Sequence, residues 1–381
     1  MTHISMRQGF YFGAGPAPLP TAVIETAASE LIEYENLGVG LGEMSHRSKQ
    51  ATEIINSTKA KIRSLYKVPE SHEILFVQGG GTGGFAAVVY TMLAHYAKRT
   101  GKAGKADYIV TGGWSQKAAE EAQRLGAHVN IVTSSKTSGY TCIPDRSTWS
   151  FSDPTETAYI YYCDNETVHG VEFPQAPEVP AGVDVVMDVS SNMLSRPIDF
   201  SKYAMVFGGA QKNVGIPGVS LYIIDKKILD QAPVEQLREL GIPISPSLLD
   251  LGLVAKNNSA YNTVSIFAIE VINLVADTLL SKGDLRAQER EAEAKAEKLY
   301  AAIDARDIYV KKVDRASRSR MNIVFNLTDE ALEERFLKEA ATRKLTGLKG
   351  HRSVGGIRVS NYNAVVPQAI DELVDFINEF K

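Results

Sequence analysis

The sequence predicts an α/β protein in two parts: a mostly parallel seven-stranded sheet flanked by helices, then a smaller α+β unit. Three observations predict it. Near-continuous Val, Ile, Tyr and Ala runs alternate with helix-length amphipathic segments through the first two thirds of the chain, as in strands buried on both faces. A length of 381 residues exceeds what one compact core holds. The pattern also changes near Lys256, where long helical periodicity replaces the alternation.

In chain order, residues 74–77 read as a buried strand and 85–98 as the helix after it. Residues 108–111 form the second strand, 116–125 a helix and 128–132 the third strand. Residues 158–163, 183–189, 204–207 and 219–224 complete the series. Sheets of this kind hold ligands at the carboxyl ends of their strands, so the loops after these runs are where chemistry is expected. The change at Lys256 divides the chain into a large domain, 14–256, and a small one, 257–381, against which residues 1–13 pack. Residues 264–304 show a helical pattern broken around 281–284, with a charged second half offering pairs such as Glu291–Lys295; it reads as a solvated face. Short strands at 309–313, 321–325 and 356–360 follow with two helices, the last placing Ile370, Leu373, Val374 and Ile377 on one apolar stripe.

Composition excludes several classes. A formal net charge of −4 and pI near 6.0 argue against nucleic acid as a partner. No run approaches the roughly 20 apolar residues of a membrane span, and residues 1–10 lack the apolar core of a signal peptide. Two cysteines, Cys142 and Cys163, do not make a disulfide framework. A cytoplasmic protein is expected.

Two motifs carry chemistry. Gly79-Gly80-Gly81-Thr82-Gly83-Gly84 follows a strand and opens a helix, so its amides and the positive helix end form an anion site. It also satisfies the dinucleotide pattern, but that reading needs an acidic residue ending the next strand, and Asp107 begins one. The second motif is a pair. Asp188 ends one strand, and Lys212 follows the next, after Gly208 and Gly209. Taken singly, these are a turn residue and a solvated cation. Together they are what pyridoxal phosphate (PLP) requires: an amine to form the Schiff base and a carboxylate to keep the pyridine nitrogen protonated.

Further motifs carry a resemblance. Ser45-His46-Arg47, the glycine run, Asp164-Asn165-Glu166-Thr167, Asp188-Val189-Ser190-Ser191, Gln211-Lys212-Asn213, Tyr261-Asn262-Thr263 and Lys349-Gly350-His351-Arg352 resemble, in order and spacing, the phosphoserine aminotransferases. Ser195-Arg196-Pro197 and residues 317–322 are similar too, and the match begins at Phe12-Gly13-Ala14-Gly15-Pro16-Ala17. The resemblance implies the PLP-dependent transferase fold type I of the class V aminotransferases. It implies exchange of an amino group between phosphoserine and 2-oxoglutarate, giving 3-phosphohydroxypyruvate and glutamate in serine biosynthesis.

Carried over residue by residue, it makes Lys212 the Schiff-base lysine and proton shuttle, and Asp188 the partner of the pyridinium nitrogen. Trp114 would stack on the ring, Gly81, Thr82 and Gln211 would hold the phosphate, and Thr167 would bond the ring hydroxyl. Asn262 and Thr263 would reach the phosphate from the other subunit of a homodimer. Arg358 would take the substrate α-carboxylate; His351 and Arg352, with His46 and Arg47 across the dimer, would meet the distal phosphate or carboxylate. The chain departs from the family's common pattern at Ala14, Thr82 and Gly84, and lacking an arginine at 82 it has one anion contact fewer.

Two other enzymatic readings remain open. A cysteine desulfurase or lyase of the same fold needs a mobile reactive cysteine, whereas Cys163 ends a buried run and Cys142 has no activating neighbour in sequence. A nicotinamide oxidoreductase leaves Lys212, Asp188 and the His-Arg pairs without a role. A non-catalytic descendant is the third alternative.

Overall fold

The computed structural model describes residues 8–381, so what the sequence suggests for residues 1–7 lies outside the described residues. Seven strands form the central sheet, in the spatial order His72–Val77, Ser220–Asp225, Met205–Gly209, Val185–Asp188, Thr157–Cys163, Lys105–Val110 and His128–Ser134. All run in one direction except Ser220–Asp225, which is antiparallel to both neighbours. The reason is the short link after Met205–Gly209: residues 210–219 can turn the chain back but are too few for a crossover to a parallel strand. Lys212 sits in that link.

The strands are buried on both faces because both sets of alternating residues are apolar. Ile74, Phe76, Ile109, Ile160, Tyr162, Val206 and Ile223 face one core. Leu75, Val77, Tyr108, Tyr161, Val186, Phe207 and Tyr222 face the other. The helices Lys49–Tyr66 and Ile266–Lys282 belong to the first core, Gly80–Thr100 and Gly113–Arg124 to the second. Two helices start earlier than expected, at Gly80 instead of 85 and at Gly113 instead of 116. Glycines that read as loop residues form their first turns. The run at 183–189 shrinks to the strand Val185–Asp188.

A third core lies in the C-terminal part. The antiparallel strands Tyr309–Val310, Asn322–Leu327 and Ile357–Ser360 pack with the helices Leu285–Asp304, Glu330–Thr342 and Pro367–Glu379. Phe336 sits among Tyr309, Phe325, Phe376 and Phe380. Phe12 joins this core, and Phe10–Tyr11 pairs in parallel with Leu345–Thr346. The long helical pattern breaks at Asp284, whose carboxylate accepts from the amides of Arg286 and Ala287, both at 3.1 Å.

One expectation about the second of these helices needs correction. Leu285–Asp304 is not solvated throughout: Lys295 is 3% exposed. Its Nζ donates to the carbonyls of Val365 (2.7 Å) and Tyr362 (3.3 Å), besides pairing with Glu291 at 3.6 Å. A long side chain can bury its stem and satisfy its head on backbone oxygens, which periodicity alone does not reveal.

Candidate active site

A cavity of about 440 Å³ opens at the carboxyl ends of the parallel strands. Gly80, Trp114, Thr167, Gln211, Lys212, His351 and Arg358 line it. Helix starts, loops and one small-domain strand therefore bring together residues that are up to 344 positions apart, from Ala14 to Arg358.

Lys212 is buried, and its Nζ donates to Thr167 Oγ1 at 2.6 Å. The same nitrogen lies 5.7 Å from the centre of the Trp114 ring. Burial lowers its pKa to about 8, against the pull of Asp188 and with the push of Arg358. Asp188 ends its strand in register with Cys163 on one side and Phe207 on the other. Its Oδ1 accepts from the Ser190 amide (2.8 Å) and hydroxyl (2.6 Å), and its Oδ2 from the Tyr161 hydroxyl (3.1 Å). Burial raises the carboxyl, while these donors and Lys212 oppose the shift.

Glu166 holds Trp114 in place. Its carboxylate accepts from the amides of Trp114 (2.9 Å) and Ser115 (2.8 Å) and from the Ser115 hydroxyl (2.5 Å). A carboxylate is favoured at this helix start. Position 112 must be glycine, because a Cβ there would stand 2.3 Å from the Glu166 carboxyl carbon. Neither Glu166, Tyr161 nor Ser190 was singled out from the sequence. The first and last lay inside recognised motifs, whereas Tyr161 looked like one more buried strand residue.

Gly81 lies beside Ser190, which borders Asp188. Thr82 is exposed in the same helix start. Gly84 has a packing role: a Cβ there would come within 2.4 Å of the Phe207 ring, so the departure at 84 lets the helix approach the sheet. Arg358 is half-buried on the strand Ile357–Ser360 and forms no ion pair among the described residues; its Nη1 reaches only the Thr167 carbonyl, at 3.5 Å. Burial pushes its pKa down. His351 is also pushed down, by burial and then by Arg358, Arg352 and Lys117. Arg352 is exposed beside it and does not line the cavity.

Four other expected site residues lie elsewhere. His46, Arg47, Asn262 and Thr263 do not line the cavity. Arg47 Nη2 bonds the Tyr261 carbonyl at 3.4 Å, and Asn262 Nδ2 donates to Gln78 Oε1 at 2.6 Å. The two motifs thus meet each other near the start of the glycine run.

Geometry removes two alternatives. Cys163 is buried, with its thiol pushed up by burial and nearby carboxylates, so it is no nucleophile, and Cys142 does not line the cavity. Asp107 accepts from Asn130 and Ser152, a structural role that leaves nothing for a ribose.

The model of the family described as aminotransferase class-V matches residues 9–373, and the chain belongs to that family. It is 48% identical to phosphoserine aminotransferase of Saccharomyces cerevisiae, over 97% of this chain and 96% of that one. It is 42% identical to a putative phosphoserine aminotransferase of Schizosaccharomyces pombe, over 97% and 96%. Among solved structures, the PLP-bound phosphoserine aminotransferase of Trichomonas vaginalis matches with a TM-score of 0.89 at 38% identity, covering 98% of this chain and 100% of that one.

Proposed function

We propose that this chain catalyses PLP-dependent transamination between O-phospho-L-serine and 2-oxoglutarate, yielding 3-phosphohydroxypyruvate and L-glutamate, in L-serine biosynthesis. The observation that carries this reading is Lys212: a buried amine of lowered proton affinity, in a cavity beside Asp188 and the unpaired Arg358.

The residues present fit the cofactor. Among the described residues, Trp114 Nε1 is buried without a partner and Lys212 is a buried cation paired to no carboxylate, and a helix start opens at Gly80. Bound there, PLP supplies an aldehyde that takes the amino group and a ring that accepts the electrons released at the α-carbon. Lys212 holds the cofactor and carries the α-proton; with a pKa of about 8, part of it is neutral near pH 7. Asp188 keeps a proton on the pyridine nitrogen. Trp114 gives the ring a stacking face, and Thr167 bonds its hydroxyl. The amides of Gly81 and Thr82, with the Gln211 side chain, take the phosphate. Arg358 receives the α-carboxylate, and His351 and Arg352 take part in holding the distal anion.

The same reading makes the protein a homodimer with shared sites. Asn262 and Thr263 of the partner subunit complete the phosphate site, and His46 and Arg47 of the partner subunit complete the distal anion site. Two features support this. These four residues stand away from their own chain's cavity, and the stretch leading to His46 exposes Leu31, Ile32, Leu37 and Val39, with Ile32 79% exposed. Cytoplasmic placement rests on two unpaired cysteines; no helix among the described residues is long and apolar enough to cross a membrane. The separate third core supports a C-terminal unit such as 257–381, whereas the packing of Ile266–Lys282 with the large sheet argues for a start nearer Leu285.

Absorbance and peptide mapping test the reading. Purified protein should absorb in the visible to near-ultraviolet range, lose that band on borohydride reduction and carry the label on Lys212. A label elsewhere, or protein that takes up no added PLP, would sink it.

A further inference from the structure

Two motifs contain residues for which the proposed chemistry has no use: Asn165 in Asp164–Thr167 and Asn322 at the end of Ser317–Asn322. The fold brings them together. Asn165 follows the sheet strand Thr157–Cys163, and Asn322 opens the small-domain strand Asn322–Leu327; they are 2% and 0% exposed. Asn165 Nδ2 donates to Asn322 Oδ1 at 2.8 Å and to Ser191 Oγ at 2.7 Å, while its Oδ1 accepts from Ser319 Oγ at 2.5 Å. Asn322 Nδ2 donates onward to Ser360 Oγ at 3.1 Å and Tyr362 Oη at 3.3 Å. Every donor and acceptor of the two amides is in use.

The positions these bonds connect matter more than their number. Thr167, the partner of Lys212, is two residues past Asn165, and Ser191 is three past Asp188. On the other side, Asn322 is in register with Ser360, and Val324 with Arg358. The amide pair therefore ties the backbone that carries the cofactor-facing groups to the backbone that carries Arg358. A second tie runs parallel to it, from the Asn363 amide to Asn213 Oδ1 at 2.9 Å. An apolar seam here could slide by a few tenths of an ångström at little cost. Buried amides cannot, because a shift leaves them unsatisfied.

We propose that the Asn165–Asn322 side-chain pair is a positioning element, pinning Arg358 at the distance and angle from Lys212 that the α-carboxylate of either amino-acid substrate requires. The inference rests on the transaminase reading above. Phosphoserine and glutamate share the α-carboxylate and differ at the distal group. A loosened pin must therefore impair both by the same factor.

The test uses the holoenzyme with Asn165→Ala, Asn322→Ala and the milder Ser319→Ala, each alone and combined with Arg358→Ala. Misplacing a contact by ~1 Å costs about 10²-fold. The asparagine variants should thus lose about 10- to 100-fold in kcat/KM, equally for phosphoserine and glutamate, with the PLP dissociation constant within about twofold of wild type. Ser319→Ala should lose less, in the same ratio. In the Arg358→Ala background the further loss should vanish, since the pin acts through that arginine. Full additivity in that background, a fall in Tm without a kinetic effect, or PLP affinity falling with kcat/KM would each overturn the proposal. If the asparagine variants do not fold, Ser319→Ala decides, and unchanged kinetics there would overturn it. A wild-type chain without transaminase activity would instead refute the function reading itself.

Discussion

The ends of the parallel strands and the segment around His46 and Arg47 are built in opposite ways. At the strand ends the polar groups are buried and multiply bonded: Asp188 accepts three hydrogen bonds, Glu166 three, and Lys212 rests on Thr167. Around position 46 the groups are loosely held. Arg47 is exposed, its side chain making one 3.4 Å bond to the Tyr261 carbonyl, and the buried His46 Nε2 has no partner among the described residues. The contrast separates two demands. Groups that act on a ring held in one place need a rigid frame, whereas groups that meet a phosphate in one half-reaction and a carboxylate in the other need room to adapt. Asp188, Glu166, Thr167 and Lys212 meet within one chain. Arg47 stands at the surface, as the proposed dimer requires.

The contrast breaks most completely if the rigid half is dispensable. Lys212→Ala should fold, yet lose transamination by on the order of 10⁴-fold, because holding of the cofactor and proton transfer both go. Steady-state rates near wild type would refute the assignment. Asp188→Asn should lower kcat by about 10²-fold with little change in substrate affinity, since its charge matters most as electrons move onto the ring. An effect seen only in KM would contradict that role.

A third expectation concerns stability without cofactor. The folded-state pKa of Lys212, about 8, lies below the usual lysine value of 10.5, so the folded chain binds its proton less tightly than the unfolded chain. The resulting penalty is complete below pH 8 and disappears as pH rises to 10.5. Apo Lys212→Met should therefore be more stable than apo wild type at pH 7, by about 3 kcal/mol, with the advantage fading above pH 8. Denaturation at pH 7 and pH 10 measures it, and an equal difference at both would be the contrary result.

The smallest effect belongs to the adaptable half. Arg47→Ala should weaken both substrates by about tenfold, phosphoserine more than glutamate, because a dianion loses more Coulomb attraction than a carboxylate. Mixed dimers of Lys212→Ala and Arg47→Ala subunits should regain one working site of two. Verified mixed dimers without regained activity would mean that Arg47 serves its own subunit.

The strands of the large sheet were legible because residues buried on both faces must be apolar without interruption, and little else produces such runs. Asp188 and Lys212 were legible because one ends a strand and the other lies just past one, where ligands collect. Strand direction was not: Ser220–Asp225 reads like its neighbours, and only the length of the link before it reveals the reversal. Lys295 looked solvated because periodicity records which face a residue occupies but not which carbonyls wait opposite. Gly84 read only as a departure from the family's pattern until the Phe207 ring appeared against it.

What the sequence by itself determined is local: which segments form strands and helices, and which residue types stand at the strand ends. These follow from hydrophobic period, capping groups and glycine placement, all set within a few residues of the chain. Only the tertiary structure decided which distant residues share a cavity, that Arg358 faces Lys212, and that Asn165 meets Asn322 between the two parts. Those relations depend on how two separately packed cores dock. No residue's own pattern carries that information, because the bond that joins Asn165 to Asn322 spans 157 positions.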